Sequence, residues 1–373
     1  MNILYFWAET NTYMDQWQRQ HIFNELEANG HEIQVFNPIN YQSIEEANSS
    51  VIPYIKKNIT SINLFMTCIG SEYLYEETIT SIKKIGIPSL LICFDNLHAP
   101  YVHRKIASSF DLVWLTSKET IGMFKNWGCN NIIFQPYAAN PFKFIPHWDS
   151  PMHSLSFIGT PYGSRVNKLN LLTQAKIPCD VYADSLLIKE NAKKKDNLSF
   201  NKQQQFFSLT KEISRALRFT IGRKVLYAAL LNSSLFKNES QLNRNKFLNA
   251  HPSVSFQDMQ RIYSNSLLSL NITELRNTYV LRNPIHKLHL RTFEIPMCGG
   301  LEISSYTDEL AEYFEDGKEI VLYKSQEEFI SKSKFYLEKR NETLCMKMKL
   351  NARIKAESEH TWMHRFNKIF KKI

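Results

Sequence analysis

Over the first 140 positions, short apolar runs alternate with longer stretches in which apolar residues recur every three or four positions. The runs within Asn2–Trp7, HEIQVFNP, INLFMTCIG, IPSLLICFDN, FDLVWLTS and NIIFQPYAA each have the length of a buried strand. The stretches between them have helical spacing. A helix around Tyr13–Asn29 is predicted to stop at Gly30, since glycine readily takes the left-handed conformation that ends a helix. Strands alternating with helices predict a parallel, doubly wound sheet. Ligands of such sheets lie beyond the carboxyl ends of the strands.

The segment PYAANPFKFIPHWDSPMH interrupts this rhythm with four prolines and reads as an interdomain connection. The rhythm then restarts with a strand and turn in SLSFIGTPYGSR, a helix in VNKLNLLTQAKIP and a strand in CDVYAD. Further on come SVSF as a strand, a helix through Met259–Ser266, LLSLNIT, a helix-to-strand unit at 290–305, KEIVLYKS and helices thereafter. The expected organisation is a first α/β domain over 1–140, a connection over 141–153 and a second α/β domain over 154–350. A basic helical insertion falls near 189–246, and a helix over 351–373 is expected to pack back toward the first domain.

With 373 residues, 43% hydrophobic and 22% charged, the chain is globular and long enough for two cores. Its net charge of +9 is concentrated: the segment from Lys189 to Lys246 holds 13 Lys/Arg and four acids, as much net charge as the whole chain. One basic face for an anionic surface or partner follows. A nucleic-acid binder is disfavoured, because aromatic residues are not interleaved with the charges along most of that segment. Cys68, Cys93, Cys129, Cys179, Cys298 and Cys345 are scattered without metal-ligand spacing, so buried reduced thiols are expected. The opening residues read as a strand, not a signal peptide, and no apolar run approaches the length of a membrane span. A cytosolic location is expected.

The chain lacks GxxxxGK[ST], a GxGxxG after the first strand, GxSxG, HExxH and Asp-x-Asp. Three strand ends of the second domain remain as candidate chemistry. FIGTPYGSR puts Gly159 and Thr160 after a strand, with Arg165 opening the next helix. LNIT ends another strand with Asn271. IHKLHLRTFE supplies His286, Lys287, Arg291, Thr292 and Glu294 around a helix start, with two histidines just upstream of Arg291. A cation at the positive end of a helix is locally unfavourable, and a bound anion gripped by backbone N–H groups and cations would resolve the conflict.

These residues resemble the CgeB-like branch of GT-B glycosyltransferases, named for a spore maturation protein and related to the large group-one glycosyltransferases. The resemblance rests on LSFIGTPYGSRVNKLNLL, YSNSLLSLNI, LRTFEIPMCGG, DELAEYFEDGKEIVLYKSQEEF and EHTWMHRFNKI, and more weakly on CFDN, FDLVWLTS and FQPYAANP in the first half. It implies two Rossmann-like domains facing across a cleft. It also implies a hexosyl-type transfer from a nucleoside-diphosphate sugar used as co-substrate, with no other cofactor. Glu294 would accept ribose hydroxyls, while Arg291, Lys287 and the helix end hold the diphosphate in place of a metal ion. Gly159, Thr160 and Arg165 would approach the same phosphates. Glu294 and Glu302 imitate the Glu-x7-Glu signature of retaining relatives. Because Glu294 takes the second place of that signature, its partner position is His286, and Glu302 belongs to the following strand.

In the first domain, CFDNLHAPYVHR offers Asp95, His98 and His103 beyond a strand. Asp95, then His98, is the candidate base for the acceptor hydroxyl; polar loop residues without a catalytic task are the competing reading. Over 209–231, Leu209, Ile213, Leu217, Ile221, Val225 and Ala228/Ala229 follow helical spacing among Lys211, Arg215, Arg218, Arg223 and Lys224. This basic amphipathic helix suits either an anionic membrane surface at the inner face or packing against the domain with solvated lysines. The acceptor expected is a bacterial surface glycan or its lipid-linked precursor. The rival reading is a non-catalytic GT-B-like protein that binds nucleotide or glycan.

Overall fold

The computed structural model of the chain describes residues 1–10, 12–97, 99–187, 213–233 and 241–373. It divides into two compact units, Met1–Lys143 with His360–Ile373, and Phe144–Glu359. The connection expected over 141–153 is therefore shared between them, and residues 351–359 stay in the second unit.

In the first unit, β1 (Asn2–Phe6), β2 (Glu32–Phe36), β3 (Leu64–Thr67), β4 (Ser89–Cys93), β5 (Leu112–Leu115) and β6 (Ile132–Phe134) form one sheet in the order β2-β1-β3-β4-β5-β6. Every pairing is parallel. Strands β3, β4 and β5 are buried at every position, which explains their uninterrupted apolar sequences. The helix after β1 is regular over Tyr13–Gln18, π-wound over Arg19–Phe23 and regular again over Asn24–Ala28. Gly30 follows at φ +78°. The buried Glu25 carboxylate accepts the backbone N–H groups of Trp362 (3.2 Å) and Met363 (2.7 Å) at the start of the helix Trp362–Phe370. Trp362 Nε1 donates to His21 Nδ1 at 3.2 Å. The Trp362 ring lies 6.0–6.4 Å from those of Trp17, Phe94 and Trp114.

In the second unit, β7 (Met152–Ile158), β8 (Cys179–Tyr182), β9 (Leu248–His251), β10 (Ser266–Leu270), β11 (Glu302–Ser305) and β12 (Val321–Tyr323) form a second parallel sheet, ordered β12-β11-β10-β7-β8-β9. SVSF is not a strand. The strand lies earlier, at β9, and Pro252 follows it. Ser255 Oγ accepts the N–H of Asp258 at 3.1 Å, so the helix Phe256–Asn265 starts where a strand was expected.

The single helix expected over 209–231 is also corrected. Leu209 and Lys211 lie outside the described residues. Residues 213–217 form one helical turn, the chain bends at Arg218 and Phe219, and a second helix runs over Thr220–Leu231. Gly222 packs directly against the Ala216 backbone, where a Cβ would collide with the carbonyl. The bend exposes Ile213 and Leu217 while Ala228 is buried. All six cysteines are free, five buried and Cys68 half-buried. No helix among the described residues is long and apolar enough to cross a membrane.

Because Trp362 fills the space between the sheet and the π-wound helix, Trp362→Ala should destabilise the first unit by roughly 3–5 kcal/mol. Chemical denaturation followed by circular dichroism reads this as a lower midpoint. An unchanged midpoint would show that the helix Trp362–Phe370 contributes nothing to that core.

Candidate functional site

The topology of the second unit places the site. From β7 the chain moves outward through β8 to β9, then returns to β10 on the other side of β7 and continues to β11 and β12. The connections therefore diverge at the carboxyl ends of β7 and β10, the switch point at which doubly wound sheets leave a crevice. Gly159 and Thr160 follow β7, and Asn271, Ile272 and Thr273 follow β10.

Gly159 adopts φ +139°, and a Cβ there would stand 2.6 Å from Arg291 Nη2 and 3.7 Å from Arg165 Nη1. Two guanidinium groups thus lie against one glycine. Arg165 Nη1 donates to the Thr160 carbonyl at 2.9 Å, and its guanidinium sits 4.4 Å from the Tyr162 ring centre and 5.9 Å from that of Phe157. Burial and then Arg291 lower the Arg165 pKa to about 10; the groups opposing them, Tyr162 and Tyr263, are phenols, not carboxylates. Keeping two cations this close in a half-buried place is unfavourable without an anion.

His286 forms an isolated antiparallel bridge with Glu274, and residues 287–289 lead from it to the helix that starts at Arg291. Lys287 is buried, and its backbone N–H donates to Thr273 O at 2.8 Å. Burial, then Lys287, Arg291 and Arg165, hold the His289 imidazole well below the usual histidine range. Arg165 and Arg291 thus meet at Gly159, and with Lys287 they act electrostatically on His289. His286 has other neighbours. Its Nδ1 pairs with Thr273 Oγ1 at 2.9 Å, its backbone bridges to Glu274, and burial lowers its pKa.

The helix Arg291–Met297 starts as expected but not with free N–H groups. The backbone N–H of Thr292 donates to His289 O (3.1 Å), and those of Phe293 and Glu294 both donate to Leu290 O (2.9 Å each). A tight turn before the helix satisfies its first donors, so the anion-binding capacity lies in the side chains. Arg291 and Glu294 are three residues apart and share a helix face. Glu294 is buried, and it raises the Tyr263 hydroxyl pKa, after burial as the main cause, while Arg291 lowers it. Tyr263 therefore lies within electrostatic reach of both charges. The sequence pattern did not single out Tyr263.

Asn271 and Thr292 lie beneath the site, not in it. Both are fully buried, with Asn271 Nδ2 donating to Thr292 Oγ1 at 3.0 Å and to Glu302 Oε1 at 2.9 Å. Glu302 is on β11, as expected from its place after the two glycines. Burial raises its pKa to about 8, partly opposed by Asn271 and Ser304. Among the described residues no three His, Cys, Asp or Glu side chains group as metal ligands.

In the first unit the switch point lies between β1 and β3. Asp95 follows β4, one strand further along, and is exposed. It acts electrostatically on His103 and Tyr137. His98 lies outside the described residues. Among the described residues, His103 reaches the β3 end, its Nε2 donating to Cys68 O at 3.0 Å. Its Nδ1 is buried without a hydrogen-bond partner, and burial lowers its pKa.

Residues 210–371 match a family model described as Glycosyl transferase-like. Solved structures similar over nearly the whole chain include Anabaena Alr3699/HepE in complex with UDP-glucose. It is 10% identical, with all of both chains covered and a TM-score of 0.56. Sucrose-phosphate synthase from Thermosynechococcus elongatus is 10% identical, with 100% of this chain and 98% of that one covered and a TM-score of 0.54. An alpha-glucosyltransferase in complex with UDP-glucose and DNA containing an abasic site is 11% identical, with 99% and 98% covered and a TM-score of 0.59. The chain has the GT-B fold. At these identities the likeness to solved structures is one of fold alone. No curated protein matches the sequence.

The buried Glu302 generates a pH dependence. Its folded pKa of about 8 exceeds the ordinary 4.5, so its favourable contribution is complete below pH 4.5 and is lost as pH rises through 8. That loss is on the order of 5 kcal/mol. Glu302→Gln should flatten the fall in stability of the second unit between pH 5 and 9, measured as urea midpoints. A variant that falls as steeply as the wild type would assign the pH dependence elsewhere.

Proposed function

We propose that the chain is a glycosyltransferase that moves a hexosyl group from a nucleoside-diphosphate sugar, with the donor held at the β7/β10 switch point. The observation that carries this reading is the pair of guanidinium groups against Gly159. A diphosphate would neutralise these charges, and the same charges would stabilise it as leaving group without a metal ion. Glu294, on the face of its helix shared with Arg291, is placed to accept ribose hydroxyls. The family match over 210–371 and the UDP-glucose bound in two similar structures support a nucleotide-sugar donor. The CgeB-like resemblance adds a bacterial surface glycan or its lipid-linked precursor as acceptor. Asp95 is the proposed base. Its place one strand from the first unit's switch point favours, as second reading, a protein that binds nucleotide sugar without transferring it; transfer that survives Asp95→Asn removes Asp95 from catalysis.

Titration calorimetry with UDP-glucose, ADP-glucose, GDP-mannose and a dTDP-sugar tests the donor. The sugar that binds should bind Glu294→Ala more weakly by about 1.5–3 kcal/mol, the range for charge-assisted hydrogen bonds. Arg291→Gln should also bind weakly, while its apo melting temperature equals or exceeds that of the wild type, because one of two crowded cations is gone. Donor turnover should continue in excess EDTA. Unaltered affinity in both variants would remove the site, and loss of turnover reversed only by magnesium or manganese would overturn the metal-independent mechanism.

We also propose that residues 213–231 seat the protein on an anionic membrane surface. Leu217, Tyr227 and Leu230 are 47–57% exposed and Ile213 is 37% exposed, alongside exposed Arg218, Arg223 and Lys224. Residues 213–233 contain four Lys/Arg and no acid, which complements acidic headgroups. Phosphatidylglycerol-containing vesicles should sediment the protein, phosphatidylcholine vesicles should not, and 0.5 M salt should release it. Arg223→Glu with Lys224→Glu should weaken binding more than tenfold, since each cation contributes about 1 kcal/mol near such a surface. Equal binding to both vesicle types would overturn the proposal, as would tighter binding to duplex DNA than to acidic vesicles.

A further inference from the structure

The two arginines that meet at Gly159 are held by one loop. After β10 the chain runs out and back over residues 273–287 before it reaches the helix Arg291–Met297. The two arms of the loop pair with each other. Leu275 N–H donates to Ile285 O at 2.7 Å, Glu274 bridges His286, and Lys287 N–H donates to Thr273 O at 2.8 Å. The returning arm leads directly to Arg291. The outgoing arm grips the turn that precedes Arg165. There the Arg276 carbonyl accepts the Ser164 N–H at 3.1 Å. A Cβ on Gly163 would stand 2.6 Å from Asn277 Oδ1 and 2.7 Å from Arg276 O, so only glycine admits the loop this closely. Arg276 itself is held at φ +50°, a left-handed conformation that disfavours a residue with a side chain. At the far end of the loop, the turn Thr278–Val280 packs against the basic helix Thr220–Leu231. Tyr279 Oη donates at 2.7 Å to Oδ1 of Asn232, the residue that follows that helix.

We propose that the helix Thr220–Leu231 sets the spacing of Arg165 and Arg291 through this loop, with Tyr279 and Asn232 as the positioning pair, so that seating of the helix controls affinity for the donor diphosphate. The inference rests on the donor reading above and is independent of the membrane reading. Two like charges against one glycine repel, and they stay together only while their supports are braced. Loss of the Tyr279 contact frees the loop between those supports, and the repulsion then separates the guanidinium groups. A diphosphate gripped by both arginines at once binds less well to a separated pair. The coupling runs in both directions, as linkage requires. A bound diphosphate draws the two arginines together, tightens the loop and seats the helix against the turn Thr278–Val280. Tyr279 and Asn232 act in this way without touching the donor.

Calorimetry with UDP-glucose, ADP-glucose and GDP-mannose, together with hydrogen exchange of the full chain, reads the coupling from both ends. Tyr279→Phe removes only the hydroxyl. It should bind the accepted nucleotide sugar more weakly by roughly two- to thirtyfold, the range for residues that modulate a site without contacting its ligand. Asn232→Ala should do the same, and the double variant should bind no more weakly than either single one, because both remove one contact. In the wild type, saturating nucleotide sugar should slow amide exchange across residues 220–231, and this protection should vanish in Tyr279→Phe. A merely structural residue would lower the melting temperature and leave the donor-linked protection in place. Wild-type affinity in Tyr279→Phe would overturn the proposal and leave the donor reading standing. So would exchange of residues 220–231 that does not respond to the donor in the wild type, a measurement that needs no variant to fold. Failure of all three nucleotide sugars to bind would instead sink the donor reading itself.

Discussion

Two guanidinium groups held against one glycine are the constraint around which the second unit is organised. Gly159 follows β7, Arg165 comes from the next helix, and Arg291 arrives from a helix reached only after the excursion through β9 and β10. Like charges do not gather in a half-buried crevice unless the fold forces them to. Here the forcing element is the divergence of connections on either side of β7, which leaves the two helix starts aimed at the same strand end. Burial, and after it this repulsion, lowers the basicity of Arg165 and of His289. A site of this kind is poised for an anion and costs stability when empty, a trade common at functional positions.

The support beneath that crevice is joined through Asn271 Nδ2, although Asn271 Oδ1 and Glu302 Oε2 are buried without a hydrogen-bond partner. Asn271 ties Thr292, in the helix with Arg291, to Glu302 on β11. Burial favours the protonated form of Glu302 near neutral pH, so the layer under the cations contributes polarity and positioning with little formal negative charge. A fully ionised carboxylate there would compete with a ligand for the cations' field.

Much of this was legible in the sequence, because the apolar runs have strand length and alternate with helical spacing. All six first-unit strands fall within runs recognisable by eye, as does the glycine-bearing turn after β7. What escaped depends on contacts between distant residues. The break at Arg218–Phe219 comes from Gly222 meeting the Ala216 backbone, which no periodicity reports. Asn271 looks like a ligand group at a strand end until its neighbours on β11 and the following helix are known. The helix at Arg291 appeared to offer free N–H groups, but the turn over His289 and Leu290 consumes them. His289 itself was indistinguishable from His286 in sequence; their neighbours separate them, Thr273 for His286 and the cations acting on His289.

Trp362 and the helix it begins belong to the first unit, although they lie beyond the whole of the second in sequence. During synthesis the ribosome therefore releases the first 143 residues long before the piece that completes their core. Until residues 360–373 emerge, the pocket lined by Trp17, Phe94 and Trp114 stays open to water, and Glu25 lacks the two N–H groups it accepts in the finished fold. The second unit, continuous from Phe144 to Glu359, can close first. The nascent chain thus carries an unfinished apolar surface for as long as the second unit takes to be made, a stretch over which a chaperone would be needed to shield it.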